Sequence, residues 1–184
     1  MFSPWARWRA LTRHLVFNLT MKLGFTCGSF DLLHAGHVLM LEECRNNCEY
    51  LIVGLQTDPT LDRKEKQKPI QSVYERFIQL RGVKYVDEIV VYETEADLMN
   101  VLRSVMPDVR FLGEDHKDRA YTGHEIEGIE IYFNTRKNDY SSTDLRNRCG
   151  EVLSLYHATM SHDADIERDE EMTPLENVTA TAHI

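Results

Sequence analysis

The sequence predicts an α/β fold: a doubly wound, five-stranded parallel sheet with helices on both faces, in three layers. Three observations carry this prediction. Short apolar runs of strand length alternate with helical segments along the middle of the chain, the order that a parallel sheet requires. The run LIVGL at 51–55 is continuously apolar, as expected of a strand buried on both faces. Glycine or polar clusters follow several of these runs, where a strand would end.

The elements follow one another in a regular order. The predicted strands are 22–27, 51–55, 88–91, 109–112 and 130–133, and the predicted helices are 38–45, 73–80, 96–105 and 143–155. Gly28 and Gly113 end strands where the backbone must turn, and Pro107 stops the third helix. Unusual residues follow the first, fourth and fifth strands, at the edge of the sheet where ligands bind in doubly wound folds.

The two ends of the chain differ in charge from its middle. Residues 1–20 carry Arg7, Arg9 and Arg13 and no acid, whereas the last stretch is acidic and lacks apolar periodicity. We predict a basic extension at 1–20, a folded domain at 21–157 and an acidic, disordered tail at 158–184. The extension is a targeting or membrane-surface segment, a family-specific addition, or sequence upstream of a functional start at Met21. The last two are favoured, because a strand follows Met21 directly.

Composition excludes several classes of protein. The formal net charge of −9 argues against a nucleic-acid-binding protein, and no apolar run approaches the roughly 20 residues that span a membrane. Four cysteines and no evident secretory signal favour a reducing, cytoplasmic setting. Cys44 and Cys48 lie one helical turn apart and, with His34 or His37, offer a metal site. Small buried thiols are the favoured interpretation of this pair.

The segment GSFDLLHAGH at 28–37 is the strongest candidate for a phosphate site. It joins the first strand to the first helix, and a helix N-terminus offers free N–H donors and a partial positive charge. Gly36 keeps side-chain bulk away from the helix entry, so that an anion can approach the backbone. His34 and His37 point to one side of that entry, where each can donate to a phosphate oxygen. Two ordinary surface or capping histidines are the structural alternative.

Three further segments carry polar groups towards the same edge of the sheet. The run RKEKQK at 63–68 is a solvated loop or a mobile lid over phosphates. Arg136 precedes Ser141, Ser142 and Thr143, which either cap a helix or form a second phosphate cradle. The turn GEDH at 113–116 places a carboxylate near the first turn, where it can hold ribose, base or a metal.

Together these motifs resemble the cytidylyltransferase-type nucleotidyltransferases that share a His-x-Gly-His turn, and within them the glycerol-3-phosphate cytidylyltransferases. The resemblance runs from about residue 22 to residue 148. It rests on GSFDLLHAGH at 28–37, YLIVGLQTD at 50–58, YER at 74–76, YVDEIV at 85–90, LGED at 112–115 and R-x-x-x-x-SST at 136–143.

The resemblance implies a Rossmann-like domain, a homodimer, and Mg²⁺ carried with CTP. It implies catalytic roles for His34, His37, Lys64, Lys66 and Arg136. The nucleotide-binding residues that it implies are Ser29, Phe30, Asp31, His34, Ala35, Gly36, His37, Lys66, Asp115, Arg136, Ser141, Ser142 and Thr143. Lys64 and Arg76 are expected to bind the acceptor, and no protein side chain is expected to hold the metal. The acceptor phosphate would attack the α-phosphorus in line and release pyrophosphate.

The sequence departs from that family mainly on the acceptor side. Residues 95–98 read EADL and lack a lysine that the glycerol-phosphate enzymes use for substrate, and His116 replaces a tryptophan. The leading hypothesis is transfer of CMP from CTP to a small phosphorylated alcohol, glycerol 3-phosphate first. The alternatives are an ATP-dependent adenylyltransferase acting on a sugar phosphate and a non-catalytic nucleotide sensor. A metal hydrolase that uses the histidines and cysteines is the least favoured alternative.

Overall fold

The computed structural model describes residues 21–135 and 140–171, with side chains up to residue 157. Five strands form one parallel sheet in the order β3-β2-β1-β4-β5, which confirms the predicted doubly wound α/β class. The strands are β1 (Leu23–Gly28), β2 (Tyr50–Gln56), β3 (Glu88–Tyr92), β4 (Val109–Gly113) and β5 (Glu130–Asn134). The helices are α1 (Ala35–Asn46), α2 (Val73–Arg81), α3 (Glu95–Val105) and α4 (Ser142–Glu171).

The strand order reverses at β1, which has β2 on one side and β4 on the other. β1 and β2 pair in register from Leu23 beside Tyr50 to Gly28 beside Leu55. β4 runs parallel to β1 on its other side, and β5 pairs with β4 along its length. The connection after β1 therefore leaves the sheet at its switch point, where a crevice opens in folds of this kind.

Two apolar clusters hold the helices against opposite faces of the sheet. On one face, Leu41 of α1 and Leu80 of α2 pack with Val53 and Phe111, all within 1% of complete burial. On the other face, Leu102 of α3 packs with Phe25 and further strand residues. The alternation of strand side chains between the two clusters explains why β2 reads as continuously apolar.

The chain forms two compact units, the first ending at Ser142 and the second beginning at Thr143. In the second unit α4 continues to Glu171, well beyond the predicted helix end at 155, so the backbone is helical at 158–171 where the sequence pattern predicts disorder. No proline lies between Ser142 and Glu171, and most residues there tolerate a helix, so the helix propagates. The basic extension at 1–20 and the tail at 172–184 lie outside the described residues. None of the described helices is long and apolar enough to cross a bilayer.

Candidate active site

The first helix begins at the His-Ala-Gly-His turn. His34 is the N-cap of α1, with extended backbone angles, and its Nδ1 accepts a hydrogen bond from the Gly36 N–H at 3.1 Å. A Cβ atom at Gly36 would lie 3.0 Å from the Tyr140 carbonyl oxygen and 3.0 Å from the His34 ring. The turn therefore closes tightly because position 36 has no side chain.

The two histidines of the turn stack on each other. Their ring centroids lie 3.9 Å apart with an interplanar angle of 24°, and the buried Phe30 ring lies 5.3 Å from that of His37. This stacking gives the two imidazoles one common orientation at the entry of α1. It places together the pair that the sequence singles out as phosphate donors.

A hydrogen-bond chain fixes the tautomer of His34. Because Nδ1 accepts from Gly36, a neutral His34 carries its proton on Nε2, which lies 3.3 Å from the Ser142 hydroxyl. The Ser142 hydroxyl in turn donates to the Asp31 carbonyl at 3.0 Å. Ser142, expected from the sequence in a phosphate cradle, thus orients the imidazole that precedes α1.

His37 is held neutral by its surroundings. Burial lowers its pKa to about 4, with a further lowering from nearby His34 that outweighs the opposite effect of Asp31. Its Nδ1 is buried and has no hydrogen-bond partner among the described residues. A buried donor without an acceptor is costly, so this favours the tautomer with the proton on Nε2. At neutral pH His37 is therefore a hydrogen-bond donor without net charge.

The connection from β1 to α1 is strained and tied down by Asp31. Phe30 and Leu32 have positive φ values of 49° and 50°, a backbone conformation that residues other than glycine rarely adopt. Between them Asp31 is 3% exposed, and its carboxylate accepts from the Ile70 N–H at 3.0 Å and the Gln71 N–H at 2.9 Å. Asp31 thereby joins the turn to the segment that precedes α2.

Arg76 is a buried tie between strand ends. It is 1% exposed, and its guanidinium donates to the carbonyls of Ser29, Gln56 and Thr57 at 2.6 to 2.7 Å and to that of Gln71 at 3.1 Å. Three of these carbonyls lie at the ends of β1 and β2, where sheet partners end and donors are needed, and that of Gln71 precedes α2. The sequence predicts contact with the acceptor for Arg76. The observed contacts give it a role in holding the two connections in place, and contact with the acceptor stays a prediction.

The predicted lid is anchored at its base and exposed beyond it. Arg63 donates to the Gln56 side chain at 2.9 Å and lies 3.3 Å from the Glu95 carboxylate. Lys64 and Lys66 are both exposed, and neither lines the pocket at the histidine pair. The segment is thus fastened where it leaves β2, and its two candidate lysines lie in solvent.

A pocket of about 730 Å³ opens beside the histidine pair, a volume within the range of small-molecule sites. It brings together six of the residues predicted from the sequence: His34, Gly36, His37, Asp115, Ser141 and Ser142. Ser29, Phe30, Asp31 and Ala35 belong to the adjoining turn rather than to the lining. Arg136 lies outside the described residues, and Thr143 starts the second unit.

The pocket continues along α1 to a wall that sequence reasoning missed. There the Glu43 carboxylate accepts from the Thr135 N–H at 3.0 Å, from the Thr135 hydroxyl at 3.1 Å and from the Tyr132 hydroxyl at 3.2 Å. Partial burial raises the pKa of Glu43, but these hydrogen bonds outweigh that effect and hold it below its ordinary range. The contacts join residues far apart in sequence, so no local pattern predicts them.

The cysteine pair on α1 is better suited to packing than to metal binding. Burial raises the pKa of Cys44 to about 12 and that of Cys48 to about 11, so both remain protonated thiols at neutral pH. Metals bind the thiolate rather than the thiol. Both side chains lie in or beside the apolar cluster under α1, which favours the interpretation as buried thiols.

Comparison with known proteins agrees with this geometry. The cytidylyltransferase-like family model matches residues 25–148, from β1 to the start of α4. The bifunctional protein HldE of Granulibacter bethesdensis is 37% identical over 110 residues, which are 59% of this chain and 22% of that protein. HldE of Rhodopseudomonas palustris is 37% identical over 129 residues, 68% of this chain and 26% of that protein. The chain therefore spans about a quarter of the length of these relatives.

A solved structure shares the fold. The lipopolysaccharide core biosynthesis protein of Thermoplasma volcanium superposes with a TM-score of 0.54 at 25% identity, covering 64% of this chain and 99% of that one. The family model covers every strand of the sheet and the His-Ala-Gly-His turn at its switch point. The chain belongs to the cytidylyltransferase-like family of nucleotidyltransferases.

Proposed function

We propose that this chain transfers a nucleotidyl group from a nucleoside triphosphate to the phosphate of a sugar phosphate, with ATP as the favoured donor. The observation that carries the proposal is the stacked pair of His34 and His37 at the N-terminus of α1, which opens into the pocket. A helix N-terminus and two imidazole donors form a site for the phosphates of a nucleotide.

In this mechanism an oxygen of the acceptor phosphate attacks the α-phosphorus. The bond from that phosphorus to the bridging oxygen breaks, and pyrophosphate leaves with the bond's electron pair. The Nε2–H group of His37 donates to the phosphate oxygens on which charge develops, and that of His34 does so when a phosphate oxygen replaces Ser142 as its acceptor. Because Ser142 and the turn hold the rings before substrate arrives, little reorganisation is needed during the reaction.

Mg²⁺ enters the proposal with the triphosphate. The described residues contain no group of three histidine, cysteine or carboxylate side chains that could hold a metal ion. The ion would be carried mainly by phosphate oxygens of the nucleotide, whose charge it would neutralise. Asp115, which lines the pocket, is the nearest candidate for a supporting contact to the ion or the ribose.

The lid lysines complete the proposed site. Lys66 would approach the nucleotide phosphates and Lys64 the acceptor phosphate when the segment closes. Their exposure leaves both side chains available for this, while the contacts of Arg63 with Gln56 and Glu95 keep the base of the segment in place. A homodimer and a cytoplasmic setting remain part of the proposal by family resemblance.

The relatives favour the sugar-phosphate alternative over CTP and glycerol 3-phosphate. The Thermoplasma volcanium protein, almost all of which this chain covers, is a lipopolysaccharide core biosynthesis protein. A saccharide product fits a sugar phosphate as the acceptor. The HldE proteins support the same alternative. The absence of a lysine at 95–98 is consistent with an acceptor other than glycerol 3-phosphate.

The test measures pyrophosphate release for each pairing of a nucleoside triphosphate with a candidate acceptor. The four nucleoside triphosphates are each combined with sugar 1-phosphates, glycerol 3-phosphate and phosphocholine, with Mg²⁺ present. We expect release with ATP and a sugar 1-phosphate. Release only with CTP and glycerol 3-phosphate would replace this proposal with the second candidate. Binding of a triphosphate without release for any acceptor would favour a nucleotide sensor.

A further inference from the structure

The predicted lid returns to the histidine turn at its far end. Asp31 of that turn accepts from the Gln71 N–H at 2.9 Å, and the Gln71 side chain accepts from the Leu32 N–H at 2.8 Å. At the near end Arg63 donates to a side chain at the end of β2. Residues 64–69, called the lid span below, lie between these two fastened ends. The positions of the two ends therefore limit where the lysines of this short span can reach.

Glu95, the first residue of α3, holds the near end of the lid twice. Its N–H donates to the Asp62 carboxylate at 2.7 Å. One oxygen of its own carboxylate lies 3.3 Å from the Arg63 guanidinium, and the other accepts from the Thr122 hydroxyl at 2.5 Å. The side chains of Arg63 and Glu95 are only 34% and 30% exposed. One carboxylate thus joins the lid to the connection between β4 and β5.

The groups that surround this junction are themselves held by the sheet. The Thr122 carbonyl accepts from the guanidinium of Arg110 on β4. Arg110 is 3% exposed and lies over the Tyr121 ring, 5.5 Å from the ring centre. Gln56, which accepts from Arg63, is the last residue of β2 and is 1% exposed. The near end of the lid is therefore fastened to side chains whose positions the sheet fixes.

A hydrogen-bonded turn links Arg63 to the lid lysines. The Arg63 carbonyl accepts from the Lys66 N–H at 3.0 Å, which closes a four-residue turn with Lys64 at its second position. Both lysine side chains are exposed. Because the turn is closed by this bond, a displacement of Arg63 displaces Lys64 and Lys66 with it.

We propose that Glu95 is a positioning residue for the lid lysines: by holding Arg63 it sets where Lys64 and Lys66 meet the phosphates. The inference rests on the proposed function, in which these lysines approach the acceptor and the nucleotide. Glu95 does not line the pocket beside the histidine pair, and a carboxylate would repel a phosphate. Its effect on the reaction passes through Arg63 and the turn that follows.

The experiment compares variants of the full chain. They are Glu95→Ala, Glu95→Gln, the lysine pair Lys64→Ala with Lys66→Ala, and that pair combined with Glu95→Ala. Asp97→Ala is the matched control, because Asp97 accepts from Thr94 in the capping box that starts α3 and makes no contact with the lid. Its loss weakens the same helix end and leaves the near end of the lid in place.

Three measurements are made on each variant. The rate of trypsin cleavage after Arg63, Lys64 and Lys66, followed by mass spectrometry without substrate, reports how often the near end of the lid opens. Pyrophosphate release at varied acceptor gives kcat/KM for the acceptor. Thermal unfolding gives the stability of each variant, and Glu95→Gln takes the place of Glu95→Ala in every comparison if the alanine variant does not fold.

We expect trypsin to cleave Glu95→Ala within 63–66 about tenfold faster, the factor typical of losing a charge-assisted hydrogen bond. The kcat/KM for the acceptor should fall by a similar factor. Glu95→Gln should lie between, since its single amide oxygen can accept from only one of the two donors. Combined with the lysine pair, Glu95→Ala should cause no further loss of kcat/KM, because it acts through those lysines. Asp97→Ala should lower the unfolding midpoint and change neither rate.

Several results would overturn the inference. An unchanged cleavage rate in Glu95→Ala would show that the near end of the lid does not depend on this carboxylate. If the lysine pair loses activity but Glu95→Ala keeps its kcat/KM, or adds a full independent loss to that of the pair, Glu95 has no positioning role and the proposed function stands. If the lysine pair keeps its kcat/KM, the roles of Lys64 and Lys66 fail together with the inference. No release from the unchanged protein with any acceptor would remove the proposed function and the inference together.

Discussion

The Nε2 atom of His34 lies 3.3 Å from the hydroxyl of Ser142, far along the chain. The contact fastens the turn that opens α1 to the residue that opens α4, and the Ser142 hydroxyl donates its own hydrogen bond to the Asp31 carbonyl. Ser142, which the sequence assigns to a second phosphate cradle, is therefore hydrogen-bonded to the first. Four predictions follow from this arrangement and its surroundings.

Ser142→Ala removes the hydroxyl that orients His34. A neutral hydrogen bond contributes about 0.5–1.5 kcal/mol, so we expect kcat for pyrophosphate release to fall about three- to tenfold. Ser104→Ala is the matched control, because that hydroxyl bonds only to the Asn100 carbonyl on an exposed part of α3. An unchanged kcat in Ser142→Ala would show that His34 does not depend on this hydroxyl for its orientation.

Stability should fall as the pH is lowered from about 6.5 to 4, because His37 has a pKa of about 4 in the folded protein. Between about pH 6.5 and pH 4 the unfolded chain binds a proton at this histidine and the folded protein does not, so the free energy of unfolding falls. Below the folded pKa both states bind the proton and the free energy falls no further. The difference between this pKa and the ordinary histidine value of about 6.5 corresponds to about 3 kcal/mol in the free energy of unfolding.

Urea unfolding gives the free energy of unfolding at each pH and so measures this effect. The pH range should extend from about 7.5, above the ordinary histidine pKa of about 6.5, down to about 4. His37→Asn should lose the part of the slope that His37 contributes. His124→Asn replaces an exposed histidine and serves as the control. An identical slope in the unchanged protein and in His37→Asn would contradict the burial of a neutral imidazole at this position.

Arg76→Ala should destabilise the protein strongly. Its removal leaves four backbone carbonyls without their donor, and loss of one partner from a buried charged network typically costs about 3–5 kcal/mol. Thermal unfolding measures the effect, with Arg81→Ala, an exposed residue of the same helix, as the control. If Arg76→Lys instead raised the acceptor KM at unchanged stability, Arg76 would contact substrate as the sequence alone predicts.

Gly36→Ala should weaken nucleotide binding more than it affects folding. The added methyl group would lie 3.0 Å from the Tyr140 carbonyl oxygen and from the His34 ring, so the turn or the neighbouring connection must shift. We expect a higher KM for the triphosphate, measured by pyrophosphate release.

Gly150→Ala is the matched control for this substitution. Nothing lies within 4 Å of the added methyl group, and alanine favours a helix over glycine by about 1 kcal/mol. That variant should be slightly more stable and keep its KM. A normal KM in Gly36→Ala would mean that the phosphates do not approach the backbone at this turn.

Much of the fold follows from local patterns in the sequence. The apolar run at 51–55 gives β2, which the structure extends to Tyr50–Gln56, and the predicted order of strands and helices is the observed one. The Gly28–His37 segment is also local, since strand, turn and helix entry adjoin in the chain. Such features depend on the periodicity and backbone preferences of neighbouring residues. The helical backbone at 158–171 is the exception, because composition alone does not measure how far a helix propagates.

Tertiary structure decided what each polar side chain does. The sequence singled out His34, His37, Ser142 and Arg76. Only the fold shows that burial lowers the pKa of His37 and that Arg76 donates to carbonyls at the strand ends. Glu43 carries no local signal, because its partners lie far along the chain: Tyr132 is on β5 and Thr135 directly follows that strand. Hydrogen bonds, burial and pKa values are set by neighbours in space. A sequence can therefore determine which groups reach one edge of a sheet, whereas only the folded packing determines what they bond to there.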